Sequence, residues 1–117
     1  MNKIVGDVRV MSLDEPNFGA HHVFAIIEKD AETIKEDTSA VGFLSFQKGP
    51  VREVGLNGIT HEALLEVIID RLNGFQGTEF KCPDNEQAIY GCTVALEALN
   101  RRTKDRESRG VEGLSVV

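Results

Sequence analysis

Arginine side chains are concentrated near the C-terminal end of a chain that is acidic overall. Residues 101–110 hold five Lys or Arg against two Asp or Glu, a local charge of +3 in a protein whose formal net charge is −6, so the other residues sum to −9. Arg102, Arg106 and Arg109 follow the i, i+4, i+7 spacing and share one face of a helix. Because guanidinium groups bind phosphate or carboxylate and stack on purines, this basic segment (101–110) is typical of a site for a small anionic ligand. The alternative is a solvated helix end whose cations face the negative end of the helix dipole.

Length and composition limit the class of protein. A chain of 117 residues with 41% hydrophobic and 27% charged residues predicts one folded domain, 1–117. No apolar run approaches the roughly 20 residues that span a bilayer, and the first residues lack the apolar region of a signal peptide, so we expect a cytoplasmic protein without membrane contact. A formal net charge of −6 argues against duplex nucleic acid as a partner, because binding a duplex requires an extended basic face.

Residues that could carry catalysis or bind metal form no recognisable pattern. Cys82 and Cys92 fit neither a disulfide framework nor a metal spacing, so we expect both to be reduced and Cys92 to be buried. His21 and His22 are adjacent, and adjacent side chains on a strand point to opposite faces, which disfavours joint chelation. No Ser or Cys lies in a nucleophile motif and no glycine-rich phosphate loop is present. We therefore expect no catalytic residue, no metal and no cofactor.

The N-terminal half of the chain predicts a small antiparallel sheet. Alternating or β-branched sequences predict strands over residues 3–11, 22–28 and 41–46. The polar residues 30–39 connect the second strand to the third and could hold a short helical turn. Residues 51–54 are predicted as a short edge strand.

Helical periodicity replaces this pattern near residue 60. The single domain is therefore expected to consist of an antiparallel β part, 1–58, followed by a helical hairpin, 59–117, which makes the fold class α+β. Thr60 is the expected N-cap of a first helix over about 61–73, which Asn73-Gly74 should end. The apolar stripe of this helix consists of Leu64, Leu65, Ile68, Ile69 and Leu72.

The second helix is predicted to be the longer of the two. Asp84 is its expected N-cap, with Gln87 at the capping-box position, and the helix continues until Gly110. At roughly 24 residues against 13, it exceeds the first helix by about 15 Å. The excess carries the basic segment, and such an overhang usually meets another chain.

Four short motifs lie in the chain after residue 45, at Phe46–Pro50, Val54–Gly58, Asp70–Gln76 and Arg102–Gly113. In order and spacing they closely resemble phage proteins of the first-described Thoeris anti-defence family. The resemblance covers about residues 41–117, and the family shares its helical hairpin with phage proteins that sequester cyclic oligonucleotide signals of the CBASS system. It implies a protein that binds and sequesters, without cleaving, cyclic ADP-ribose isomers made by TIR-domain defence enzymes in the host cytoplasm.

The resemblance also implies the ligand-binding residues. Phe75, Asn85, Arg102 and Asp105 match the pocket of the family, in which an aromatic ring and an Arg stack on the adenine and polar groups hold the ribose and pyrophosphate. Arg106, one turn beyond Arg102, is added because its chemistry suits a phosphate.

Each of these residues has a structural alternative. Phe75 could plug the end of the hairpin, and Asn85 is an ordinary residue of a first helical turn. Asp105 could pair with Arg109 or with Arg101 and have no other role. Arg52 could reach the ligand from the sheet, although an edge-strand charge is the commoner role.

Helix geometry constrains how such a pocket is assembled. Asn85 and Arg102 are 17 residues apart in the sequence, which is about 25 Å along one straight helix, too far for one small ligand. We therefore expect an intersubunit pocket, with Phe75 and Asn85 of one copy facing Arg102 of another. Tyr90, Val94 or Ala98 should then be buried in a homodimer, or in a hexamer built from three dimers.

Two other functions remain open at this point. The basic segment would equally suit cyclic di- or trinucleotides, which makes a CBASS-directed sponge the first alternative. The second is a phage protein that uses the helical overhang to dock another protein and binds no metabolite.

Overall fold

The computed structural model describes residues 1–33 and 40–117. Within these residues, four strands are followed by three helices, and the chain divides into two compact units, Met1–Ile59 and Thr60–Val117. The first unit contains the antiparallel sheet and the second contains the helical hairpin with its long last helix, so the predicted α+β fold class is confirmed. The organisation as a single domain stays a prediction.

The sheet of the first unit is a meander of four antiparallel strands in the order β1-β2-β3-β4. They span Asn2–Val5 (β1), Val8–Ser12 (β2), Val23–Glu28 (β3) and Ala40–Ser45 (β4). The second and third predicted strands are confirmed as β3 and β4, each displaced by one residue at its start.

The first predicted strand, residues 3–11, is in fact a hairpin of β1 and β2. Val5 pairs with Val8, which leaves Gly6 and Asp7 as the turn. Gly6 has φ = 60°, the positive value that a two-residue hairpin turn can require at its first central position. The apolar residues on both sides of this glycine alternate, so the periodicity continues through the turn and hides it.

The central strand β3 carries the core of the first unit. Ala25 and Ile27 are completely buried, and His22, just before the strand, is 8% exposed. β3 pairs with β2 on one side and with β4 on the other, with an irregularity in the β4 pairing between Ile26 and Ile27. Of the predicted connection at residues 30–39, residues 34–39 lie outside the described part of the chain.

The segment after β4 corrects another prediction, because Val51–Val54 form a single helical turn, α1, and not an edge strand. Pro50 precedes it with extended backbone, and the Gly55 N–H closes it on the Val51 carbonyl. An amide side chain holds the flanking loops. Gln47 donates to the Gly49 and Gly55 carbonyls and accepts from the Asn57 N–H. These long-range hydrogen bonds, which a local pattern does not contain, decide the conformation.

The first long helix, α2, spans His61–Gln76. Its predicted N-cap is confirmed, because the Thr60 Oγ1 accepts from the Ala63 N–H at 3.1 Å. The helix does not end at Asn73-Gly74 as predicted but continues to Gln76. Gly74 is accommodated inside the helix, and the Gly77 N–H closes the last turn on the Gly74 carbonyl.

The last helix, α3, spans Pro83–Ser108 and is 26 residues long, against 16 for α2. Its N-cap is Cys82 and not Asp84: the Sγ atom accepts from the Asn85 N–H at 3.4 Å, and Pro83 occupies the first turn, where its fixed φ favours a helix. The observed difference of ten residues corresponds to about 15 Å, as expected.

The two long helices pack as a hairpin without a fully buried residue on either of them. The half-buried stripe of α3 includes Ile89, Cys92, Leu96 and Leu99. The prediction that Cys92 is buried is therefore wrong. Both cysteines are half-buried free thiols in the structure.

Candidate ligand-binding site

Phe75 and Asn85 lie at the closed end of the hairpin, in the last turn of α2 and the first turn of α3. The loop between them is held by its own hydrogen bonds. The Gln76 side chain donates to the Cys82 carbonyl and accepts from the Cys82 N–H, at 3.2 and 3.1 Å. The Phe75 carbonyl accepts from the Thr78 N–H and hydroxyl, at 3.0 and 2.7 Å. Phe75 is thus a half-buried ring on a defined backbone.

Arg71 lies over the Phe75 ring, with its Cζ atom 5.0 Å from the ring centroid. The two residues are one helical turn apart on α2, and the distance is within the range of a cation–π interaction. Sequence reasoning did not include Arg71 in the site. The i, i+4 spacing to an aromatic residue was the available signal.

Asn85 belongs to the capping turn of α3 through its backbone N–H, which donates to Cys82. Its side chain is half-buried, and the amide group makes no hydrogen bond with the residues that the structure describes. An uncommitted amide can both donate to and accept from ligand hydroxyl groups.

The arginines of the basic segment, predicted to share one helix face, occupy different environments. Arg102 is exposed, and its guanidinium makes no ion pair or hydrogen bond within residues 1–33 and 40–117. Asp105 pairs with Arg109, one turn further along, at 3.0 Å between Oδ2 and Nε. The structural alternative considered for Asp105 is therefore present, although the pair is solvent-exposed and contributes little to stability.

Arg106 is committed to the residues that follow α3. Its Nε donates to the Glu112 carboxylate at 3.1 Å, and Nη1 donates to the Val116 carbonyl at 2.8 Å. Nη2 donates to the Val111 and Leu114 carbonyls, each at 2.9 Å. The side chain is only 19% exposed. Arg106 therefore ties residues 111–116 to the helix and has few donors left for a ligand.

The predicted site residues form two separate groups. Phe75 and Asn85 are at the closed end of the hairpin, whereas Arg102, Asp105 and Arg106 are near the other end of α3. Since α3 is one continuous helix, Asn85 and Arg102 are separated by about 25 Å along its axis. One chain does not bring all five residues to one small molecule.

The histidines considered for a metal site lie on either side of Asp14. The His21 Nδ1 is 2.7 Å from the Asp14 carbonyl oxygen, and the His22 Nδ1 is 3.9 Å from the Asp14 carboxylate. Partial burial alone would raise the pKa of Asp14, but hydrogen bonds from the backbone N–H groups of Val23 and His22 outweigh it and lower that pKa. Within the described residues, no group of three or more His, Cys, Asp or Glu could hold a metal ion.

Among the described residues, no helix has the length and apolarity that crossing a membrane requires.

A model of the Acb2/Tad1 hairpin domain matches residues 44–104, which include α2 and most of α3. The chain belongs to the Acb2/Tad1 hairpin family. It is also similar to Thoeris anti-defense 1 of Bacillus phage SBSphiJ7, with 46% identity over 81 residues, or 69% of this chain. The matched region spans 57% of that relative's length. The predicted family resemblance is thereby confirmed. The Acb2/Tad1 match includes Phe75, Asn85 and Arg102 and ends just before Asp105.

Proposed function

We propose that this Acb2/Tad1-family protein binds and sequesters a cyclic ADP-ribose isomer made by a TIR-domain defence enzyme, without cleaving it. The observation that carries the proposal is the uncommitted Arg102 guanidinium on the same helix as Asn85, in a family whose named member acts against Thoeris defence. The two residues are about 25 Å apart along α3, so the pocket we propose is formed between two copies of the chain.

The chemistry of the ligand suits the residues at the two ends of α3. A cyclic ADP-ribose has an adenine face, ribose hydroxyls and two negative charges. The Phe75 ring is suited to the adenine, and Asn85 and Asp105 to the hydroxyls. Arg102 is suited to stacking and to the pyrophosphate. Arg106 supports this end of the site because it holds the adjoining segment in place.

Exposed apolar side chains on the hairpin support assembly with a second copy. Tyr90 and Val94, one turn apart on α3, are 71% and 44% exposed, and Ala98 follows on the same exposed side of the helix. Two antiparallel α3 helices related by a two-fold axis would cover this face and bring Phe75 and Asn85 of each copy towards Arg102 of the other. The symmetry gives two equivalent pockets per dimer. A hexamer would consist of three such dimers.

The side chains assigned to the pocket favour retention of an intact ligand. Phe75, Asn85 and Arg102 supply no nucleophile, and the Asp105 carboxylate is already paired with Arg109. Pyrophosphate or glycosidic cleavage needs an activated nucleophile or a positioned general acid.

The test is a calorimetric titration of the wild type and Arg102→Ala with a purified cyclic ADP-ribose isomer. The substitution removes both a charged donor and a stacking surface, so we expect binding to weaken by about 2 kcal/mol, or roughly 30-fold. Ligand recovered by heat release and ultrafiltration should be chemically intact, and sedimentation should detect at least a dimer. Equal affinity of the two proteins at equal melting temperature would contradict the site, and a monomer at micromolar concentration would exclude the composite pocket.

A second titration of the wild type, with a cyclic trinucleotide, separates the alternatives. Binding of a cyclic trinucleotide but not of a cyclic ADP-ribose isomer would assign the protein to CBASS signals, and a degraded product would indicate an enzyme. Failure to bind either ligand would favour the protein-interaction module.

A further inference from the structure

Arg71 is the only Lys or Arg on α2. Its guanidinium lies 5.0 Å from the centroid of the Phe75 ring, the ring to which the adenine is assigned. The residue is exposed, and its N–H donors make no hydrogen bond or ion pair within the described residues. A cation that remains over an aromatic ring without a carboxylate partner has its donors available for an anion.

The number of suitable cations is the reason to assign Arg71 to the site. A pyrophosphate carries two negative charges and is best bound by more than one guanidinium. Arg102 supplies one free guanidinium from the far end of α3, whereas the donors of Arg106 are occupied by Glu112 and by three backbone carbonyls. Arg71 is uncommitted within the described residues and lies over the Phe75 ring, so it is a second cation that the composite pocket can use.

We infer that Arg71 is a ligand-binding residue that covers one face of the Phe75 ring and donates to the pyrophosphate of a base stacked on that ring. The inference rests on the proposed function. In each pocket the anion would then contact Arg71 and Phe75 from one copy and Arg102 from the other. The class of ligand implied is an adenine nucleotide whose phosphates fold back towards its own base, as in a cyclic molecule.

The backbone around Phe75 supports a preformed arrangement. The Phe75 carbonyl is fixed by two hydrogen bonds from Thr78, and the adjacent Gln76 is tied to Cys82. These hydrogen bonds fix the backbone of Phe75 without a contribution from Arg71. A contribution of Arg71 to binding is therefore expected to come from its charge and its donors.

The experiment titrates the wild type, Arg71→Met and Arg71→Lys with a purified cyclic ADP-ribose isomer at several salt concentrations. Arg71→Met keeps a flexible, unbranched stem but removes the charge and the guanidinium donors, and we expect Kd to rise about tenfold. We also expect Kd to depend less steeply on salt, because one screened charge pair is lost. Arg71→Lys keeps a charge without the planar fork, so we expect a rise of about threefold with the wild-type salt dependence. Lys3→Met, on the exposed strand β1, is the control for the same change in net charge and should bind as the wild type does.

The outcomes distinguish this inference from the function on which it rests. If Arg102→Ala loses affinity while Arg71→Met binds as the wild type does, Arg71 is not part of the site and the proposed function stands. Weaker binding of Arg71→Met with an unchanged salt dependence would also overturn the inference, because Arg71 would then act only by packing on Phe75. If the wild-type protein does not bind the cyclic isomer, both proposals are wrong.

Discussion

Replacing Arg106 by Ala should destabilise the helical unit, whereas replacing Arg102 by Ala should not. The Arg106 side chain makes four hydrogen bonds between 2.8 and 3.1 Å with residues 111–116, and it is 19% exposed. Arg102 is exposed and makes no such contact within the described residues. The two arginines, one helical turn apart, form a matched pair in the same helix.

The expected size of the effect follows from the acceptors that are left behind. A hydrogen bond to a charged group contributes about 1.5–3 kcal/mol, so four of them would give a large total if the acceptors stayed buried. Residues 111–116 can instead move into solvent, where water solvates their carbonyls. We therefore expect Arg106→Ala to lower the free energy of unfolding by about 2–3 kcal/mol. Arg102→Ala should change it by less than about 0.5 kcal/mol.

Two measurements check this prediction. Urea unfolding followed by circular dichroism gives the loss of stability for both variants. Amide hydrogen exchange reports the local effect, because the Val111 N–H donates to the Arg106 carbonyl and the Leu114 N–H donates to the Val111 carbonyl. Both amides should lose protection in Arg106→Ala and keep it in Arg102→Ala. Unchanged stability and unchanged protection in Arg106→Ala would refute the structural role of this arginine.

Three further predictions concern the stability of the two units. Gly58→Ala should destabilise the sheet unit by about 3 kcal/mol or more, because a Cβ at Gly58 would lie 2.4 Å from the Phe46 carbonyl carbon. Gly74→Ala in α2 should stabilise the protein by about 0.5–1 kcal/mol, because alanine favours a helix more than glycine does and the added Cβ would meet no atom within 4 Å. Thermal unfolding checks both variants: a higher melting temperature for Gly58→Ala or a lower one for Gly74→Ala would contradict the prediction. The lowered pKa of Asp14 means that this carboxylate stabilises the folded state above its unfolded-state pKa of about 3.9, and that the contribution disappears as the pH falls through the folded-state pKa. The stability difference between wild type and Asp14→Asn should therefore be present at pH 7 and shrink below about pH 4 in a pH series of urea unfolding; a difference that is independent of pH would contradict the assignment.

The two units differ in how well local pattern predicted them. The helices of the hairpin were predicted because their apolar residues recur at helical spacing and because Thr60 is an N-cap that acts within its own turn. Their ends were less predictable. Asn73-Gly74 has the composition of a helix stop, yet α2 continues to Gln76, and Cys82 caps α3 in place of Asp84.

In the sheet unit, β-branched and aromatic residues identified β3 and β4, whereas the alternation over residues 3–11 did not reveal the turn at Gly6. The two-residue turn pairs Val5 with Val8, so Ile4 and Val8 lie on opposite faces of the hairpin. Their even spacing in the sequence is nevertheless that of one continuous strand, so the pattern alone does not reveal the turn. The helical turn at Val51–Val54 depends on Gln47, whose hydrogen bonds reach Gly55 and Asn57, eight and ten residues away. No local propensity contains such contacts.

For the candidate site, the sequence determined the residue types, the family and the separation along α3, because helical rise converts the 17 positions between Asn85 and Arg102 directly into a distance. Only the tertiary structure decided which arginines have donors to offer. The spacing of Arg102 and Arg106 gives a shared helix face but not the partner that covers it. The chain after α3 folds back onto Arg106 and leaves Arg102 in solvent. At the other end of the hairpin, Arg71 lies over the Phe75 ring. Whether the donors of an arginine are occupied or available depends on the groups that lie next to it in space, and the folded chain determines which groups those are.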